Sequence, residues 1–313
     1  MLVTGTFLDE ISHDIPAQNW GVNEWDRDFR VMKAVGIDTV ILIRSGYKRW
    51  MTYPSEVLQK HRSGFVPPVD LVRMFLDLSE KYGMDFYFGL YDSGEYWHHG
   101  DYKKEVDLNR LVADEVWASY GSSPAFKGWY LTQEISRSVL SIVEIYASIA
   151  RHCKQVSGGL PVLISPYIEG CKAIAVSSAE TVREGGITPE QHEKEWNEIM
   201  SGISGVVDAV AFQDGHVDFA ELLEFLQINK ALADKHGLKC WTNSESFDRD
   251  MPIKFLPIKW EKFLLKLNAA EKAGVEKAIT FEFSHFMSPY SAYSQAKGLF
   301  DRYCEHNGLA VDI

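Results

Sequence analysis

Short apolar runs alternate with amphipathic stretches eight times along this chain, and that alternation restricts the fold more than any single motif does. Leu2 to Leu8 reads as a first strand. A helix follows from near Asn23, with Trp25, Phe29, Met32 and Val35 at three- and four-residue spacing and Gly36 as its stop. The same succession repeats. Further strands are predicted at Thr39 to Ile43, Asp85 to Tyr91, Phe126 to Glu134, Pro161 to Ser165, Val207 to Phe212, Lys239 to Glu245 and Lys277 to Phe281. Helices are predicted between them, among them Val69 to Tyr82, Leu108 to Tyr120, Ser138 to Val156, a capped start at Thr188-Pro-Glu-Gln191, and a last one from Tyr290 to His306. A strand that returns to its own sheet through a helix builds a parallel sheet, which must be covered on its faces. With no GxGxxG or phosphate-loop motif to mark a nucleotide crevice, eight such units in 313 residues predict an α/β fold of the (β/α)8 TIM barrel class rather than an open sheet. No linker, low-complexity tract or charge block interrupts the pattern, so residues 1–313 read as a single domain.

A barrel of this kind carries its chemistry at the C-terminal ends of its strands, and the acids of this chain collect there. Asp9 and Glu10 follow strand one, Asp92 strand three, Glu134 strand four, Glu169 strand five, Asp214 strand six, Glu245 strand seven and Glu282 strand eight. Asp9, Asp92 and Glu169, taken singly, read as helix caps or ion-pair partners of Arg44. Glu134 and Glu245 close their strands in the same manner, and two carboxyl groups facing one another are what hydrolysis of a glycosidic bond requires. One stays protonated and donates to the leaving oxygen; the other stays ionised and attacks the sugar or activates water. Strand alternation puts Tyr130, Thr132 and Glu134 on one face and Trp129, Leu131 and Gln133 on the other. Tyr130 is expected to disfavour charge on Glu134, while Asn243 and Ser244 are expected to hold Glu245 ionised.

Glutamates closing strands four and seven resemble those of the large clan of retaining glycoside hydrolases built on this barrel. That resemblance implies Glu134 as acid/base, Glu245 as nucleophile and a retaining mechanism. The clan usually has Asn before its acid/base, where this chain has Gln133, an amide that makes similar bonds at longer reach. Thr4-Gly-Thr-Phe7, Gly36-Ile-Asp-Thr-Val40 and Gly128-Trp-Tyr-Leu-Thr-Gln-Glu134 are also similar to motifs of a bacterial barrel family known as a domain of unknown function with glycosidase-like features.

Sugars present apolar C–H faces and polar hydroxyls, so a cleft for them mixes aromatic rings with carboxylates and amides. Trp50, Tyr53, Tyr91, Trp97, Tyr167, Trp241 and Phe283 stand on or beside the expected mouth loops. Trp50 and Trp97, in polar loops without helical periodicity, read as ligand contacts, whereas Trp241 and Phe283 serve equally well as barrel packing. Gln133, Asn243, Asp214, His216, Glu282 and His285 are the candidates to orient hydroxyls or tune the two glutamates. A second reading has His98, His99, Asp214, His216, Glu245, Glu282 and His285 converging on a divalent metal, as in a metal-dependent sugar isomerase or hydrolase, although no HxH or HExxH spacing appears. A third is a carbohydrate-binding barrel without turnover. The first reading needs no metal and no cofactor.

Composition narrows the partners. At 46% hydrophobic and 24% charged residues the chain reads as an ordinary soluble protein, and a net charge of -12 argues against nucleic acid or an anionic membrane and favours a neutral ligand; with the hydrolase reading, the expected partner is an oligosaccharide or glycoside. Cys153, Cys171, Cys240 and Cys304 lie far apart without a CxxC pair, which signals neither zinc nor a disulfide framework. The start, Met1-Leu-Val-Thr-Gly-Thr-Phe7, lacks a basic segment and a long apolar one, so the expectation is a cytoplasmic protein, or an exported one whose leader has been removed.

Overall fold

The computed structural model describes residues 1–12, 15–139, 141–170, 186–249 and 255–313. Eight parallel strands close into a barrel: Val3–Leu8 (β1), Thr39–Leu42 (β2), Asp85–Gly89 (β3), Phe126–Leu131 (β4), Val162–Ile164 (β5), Ala209–Gln213 (β6), Lys239–Asn243 (β7) and Lys277–Thr280 (β8). Each strand pairs with its neighbours in the chain, and β8 closes on β1 with Thr6 opposite Thr280. Eight helices follow the strands in turn: Val22–Ala34 (α1), Leu71–Tyr82 (α2), Tyr102–Tyr120 (α3), Ile142–Ser157 (α4), Pro189–Ile203 (α5), Leu222–His236 (α6), Trp260–Ala273 (α7) and Ser294–Asn307 (α8). The chain is therefore the (β/α)8 barrel that its alternation predicts.

The two faces of each strand fill different layers. Phe7, Ile41, Tyr130, Leu163, Ala211, Trp241 and Ile279 point inward and pack as one buried cluster inside the barrel. Leu8, Leu42, Phe88, Trp129, Ile164, Phe212 and Cys240, one residue out of phase, join the larger layer beneath the helices. Burying each of the large side chains stabilises the fold by about 1.5–3 kcal/mol. Local signals fix the helix ends: the Asp70 carboxylate accepts from the N–H of Arg73, Thr188 caps α5 with Pro189 at its first position, and Gly83 ends α2 at φ 61°, where a Cβ would be strained.

The differences from expectation lie at boundaries and in loops. β4 stops at Leu131 and β7 at Asn243, so Glu134 and Glu245 stand in the loops above the barrel rather than on its last strand residues. Helix α3 starts at Tyr102, six residues before the apolar pattern becomes regular. The long loop after β2 holds structure of its own: Gly46–Tyr47 pairs with Trp50–Met51 and with Tyr91–Asp92 in a small sheet, and Glu56–Arg62 forms a short helix capped by Ser55. A two-residue ladder, Phe247–Asp248 with Leu256–Pro257, follows β7. Cys153, Cys240 and Cys304 are buried and free, as packing residues; Cys171 lies outside the described residues. Among the described residues, no helix is long and apolar enough to cross a membrane.

Candidate active site

Closure of the barrel brings Glu134 and Glu245 to one hollow of about 200 Å³, which Arg44, Gln213, Arg249 and Phe281 also line. Four loops, after β2, β4, β7 and β8, and the last residue of β6 supply these groups. Phe247, Phe255 and Phe281 give the hollow an apolar wall, with Phe247 in edge contact with Phe281 at 6.0 Å.

Glu134 is held from two sides. Tyr130, one turn of the strand below it, donates its hydroxyl to Oε1 at 3.1 Å, and the Arg44 guanidinium stands 3.5 Å from Oε2. Arg44 is in turn 3.8 Å from the Asp92 carboxylate. Burial pushes the Glu134 carboxyl above its ordinary range; Arg44 and the Tyr130 hydroxyl pull the other way without cancelling it, and Asp92 and Asp9 add to the rise. Tyr130 thus acts opposite to expectation: its hydroxyl favours the ionised form, and it is desolvation that favours the acid.

Glu245 is almost wholly enclosed, and both its backbone and its carboxylate are clamped. Its N–H donates to Asp214 Oδ1 at 3.1 Å, its carbonyl accepts from Lys266 Nζ at 3.0 Å, and Lys266 donates to Asp214 Oδ1 at 2.7 Å. The Arg249 fork donates to both carboxylate oxygens at 2.8 Å. Burial opposes ionisation here too, but Arg249, then Lys266, outweighs it and holds the carboxyl below its ordinary range. The ion-stabilising bonds come from Arg249 rather than from Asn243 or Ser244: Asn243 donates instead to the Ser165 hydroxyl at 3.1 Å.

The other expected residues divide into those near the pair and those that the fold uses elsewhere. Asp214 and His216 neighbour Glu245. Burial, followed by the charge of Arg249, lowers His216 to about 4, so its ring is neutral at ordinary pH, and Tyr167 meets it edge-on at 5.2 Å. Gln133 points away from the hollow, to Glu105 on α3 at 3.0 Å and the Tyr91 carbonyl at 3.3 Å, because strand alternation turns it to the helix side. Tyr91 is buried with its hydroxyl on the Lys48 carbonyl, Tyr53 donates to Glu115, and Trp97 donates to Asp92 at 3.0 Å. Trp241 packs inside the barrel against Tyr87 at 6.2 Å, and Phe283 is core. Glu282 and His285 form a buried ion pair of their own, with Glu282 capping Phe283–Phe286 and His285 Nε2 2.9 Å from the Pro16 carbonyl. The His98 ring lies tilted against that of Trp97 at 3.7 Å, and His99 bonds the Glu95 carbonyl. The histidines therefore do not meet, and no group of three or more His, Cys, Asp or Glu is placed to hold a metal ion among the described residues. Trp50 stays 60% exposed in the loop after β2.

Sequence reasoning missed Gln213, Arg249, Lys266 and Gly215 as site residues. Gly215 has no side chain because Glu245 occupies that space: a Cβ there would lie 1.7 Å from Oε2. Gln213 and Gly215, which flank Asp214 just after the predicted strand Val207 to Phe212, carried a local signal.

The family model of DUF4434, a domain of unknown function, matches residues 3–293. This chain belongs to the DUF4434 family. The crystal structure of a "putative alpha-L-fucosidase" from Bacteroides thetaiotaomicron VPI-5482 is similar to this DUF4434 member at 58% identity and a TM-score of 0.95, over 99% of this chain and 96% of that one. More distant structures share the fold: an endo-1,4-beta-D-mannanase from Thermotoga petrophila RKU-1 (12% identity, TM-score 0.60, 99% of each chain). An intracellular xylanase from Thermoanaerobacterium saccharolyticum JW/SL-YS485 does so at 10% identity and a TM-score of 0.52, over 88% of this chain and 84% of that one. No curated protein matches this DUF4434 member.

Proposed function

We propose that this chain is a glycoside hydrolase acting on α-L-fucosides, with Glu134 as acid/base and Glu245 as nucleophile. The observation that carries the reading is a pair of carboxyl groups lining one hollow with their proton affinities driven apart: Glu134 upward by burial, Glu245 downward against burial by Arg249. Glu134 keeps a proton for the leaving oxygen while Glu245 stays ionised to attack the sugar carbon. As the proton leaves Glu134, negative charge develops 3.5 Å from Arg44, which favours the donation. In the second step the Glu134 carboxylate takes a proton from water, which displaces Glu245 from the sugar. A hollow of about 200 Å³ is smaller than the roughly 300–1,000 Å³ of drug-sized sites and fits a single sugar ring, its C–H face on the phenylalanine wall. The fucosyl group is supported by the name of the 58% identical relative.

The test is turnover of 4-nitrophenyl α-L-fucoside within a panel of aryl glycosides. Glu134→Gln and Glu245→Gln are each expected to lose about 10²–10⁴-fold in kcat on the substrate the wild type prefers. Azide is expected to rescue Glu134→Ala with retained anomeric configuration and Glu245→Ala with inverted configuration. Wild-type turnover in either Gln variant sinks the assignment, and the opposite product configurations exchange the two roles.

One observation favours a second reading, a carbohydrate-binding barrel without turnover. The Arg249 fork engages both oxygens of Glu245 and holds their charge, which weakens the carboxylate as a nucleophile. Saturable binding of fucose with no hydrolysis of any glycoside in the panel would establish that reading.

A further inference from the structure

Trp50 belongs to a loop whose apolar residues follow no helical period, and it is more exposed than any other tryptophan among the described residues. It is nonetheless held firmly. Its strand, Trp50–Met51, pairs with Gly46–Tyr47, and its ring lies 5.0 Å from that of Phe65, which the Arg49 guanidinium covers in turn at 4.2 Å. A large exposed indole on a fixed backbone is a flat apolar surface prepared for a ligand.

That surface lines a second hollow, of about 460 Å³, together with Glu10, Tyr47 and Lys48. Ser12 and Ile15 line both this hollow and the one that holds the two glutamates. The connection lies on the Glu134 side: Arg44, which pairs with Glu134, also donates to the Ser12 hydroxyl at 3.1 Å. A leaving group sits beyond the oxygen that the acid protonates, and therefore on the acid's side of the scissile bond.

We infer that the hollow beside Trp50 is the leaving-group subsite and that its occupant is a second sugar ring, seated with one C–H face on the indole. The inference rests on the proposed reading of Glu134 as the acid. A sugar satisfies the hollow's chemistry on both counts, since its C–H face covers Trp50 while its hydroxyls reach Glu10, Tyr47 and Lys48. The substrate class is then a disaccharide or longer chain ending in the hydrolysed sugar, rather than a simple alkyl or aryl glycoside.

Two substrates separate this subsite from the catalytic pair. α-L-Fucosyl fluoride has a leaving group too small to reach the hollow, whereas the disaccharide α-L-fucosyl-1,2-galactose fills it. Trp50→Ala is expected to lower the ratio of kcat/KM on the disaccharide to that on the fluoride about tenfold, and Trp50→Phe to restore most of it. The exposed position of Trp50 keeps either variant folded, which circular dichroism checks. In parallel, galactose titrated into the wild type is expected to shift the indole N–H resonance that Trp50→Ala removes. An unchanged ratio in Trp50→Ala overturns the subsite while leaving the proposed activity standing. Should no fucoside be hydrolysed at all, the proposed activity fails, and the galactose titration decides the subsite: no shift at the Trp50 resonance overturns it.

Discussion

Gly215 shows at the scale of one residue how tightly Glu245 is packed. Its missing side chain leaves room for the carboxylate, and a Cβ would also lie 2.5 Å from Arg249 Nε. Gly215→Ala is therefore expected to push Glu245 and Arg249 aside by about an ångström, which costs on the order of 100-fold in turnover, while the barrel itself stays folded. Kinetics beside a thermal melt check this: a variant with wild-type kcat would show that the carboxylate moves freely. The pair Lys266 and Asp214 works on the same residue from behind, tying both backbone groups of Glu245 to a buried charge pair. Removing one member of such a pair leaves the other charge buried and uncompensated, at a cost of about 3–5 kcal/mol.

At the scale of elements, helix α3 reaches the site indirectly. Its Glu105 accepts at Oε1 from the Ser93 N–H at 3.2 Å and from Gln133 at 3.0 Å, joining the loops after β3 and β4 that carry Asp92 and Glu134. Burial pushes Glu105 up to about 7, despite the bonds from Ser93 and Gln133. A carboxyl whose folded pKa is raised holds its proton more firmly folded than unfolded. Its stabilising contribution is complete below the unfolded value near 4.5 and is lost as pH rises to about 7. Glu105→Gln keeps the acceptor and removes the ionisation, so its melting temperature relative to wild type is expected to rise between pH 5 and 7 and then level off. A difference that stays constant across that range would show that Glu105 titrates normally.

For the molecule as a whole, the closing seam between β8 and β1 carries an alkaline weakness. Burial opposes the charge of His285, but the Glu282 carboxylate beside Nδ1 outweighs it and raises the imidazole to about 9. This contribution is complete below the ordinary histidine value of 6.5 and is lost as pH rises through 9. Glu10 and Asp28, both pushed up to about 7 by burial, lose theirs by neutrality, while the contribution of His192 and His216, lowered to about 4 by burial, is complete above 6.5 and is lost as pH falls toward 4. Between pH 7 and 9 the loss of the His285 charge dominates among these, so the melting temperature is expected to fall across that interval. His285→Gln should flatten the fall; an equally steep decline in the variant would remove the Glu282–His285 pair as its cause.

The alternation of apolar runs determined the barrel, because strand and helix periodicity are local properties that eight repeats make unambiguous. It also placed acids above the strands, and strand parity alone already turned Gln133 away from Glu134, although likeness to retaining enzymes drew it toward the cleft. Tertiary structure decided which groups meet. Arg44, Arg249 and Lys266 lie 90, 115 and 132 residues from Glu134 in no periodic register with it, and only barrel closure sets two of them around the hollow with the third behind Glu245. The opposite proton affinities of Glu134 and Glu245 follow from those neighbours and from burial. Both depend on distances through space, which a linear order of residues does not contain.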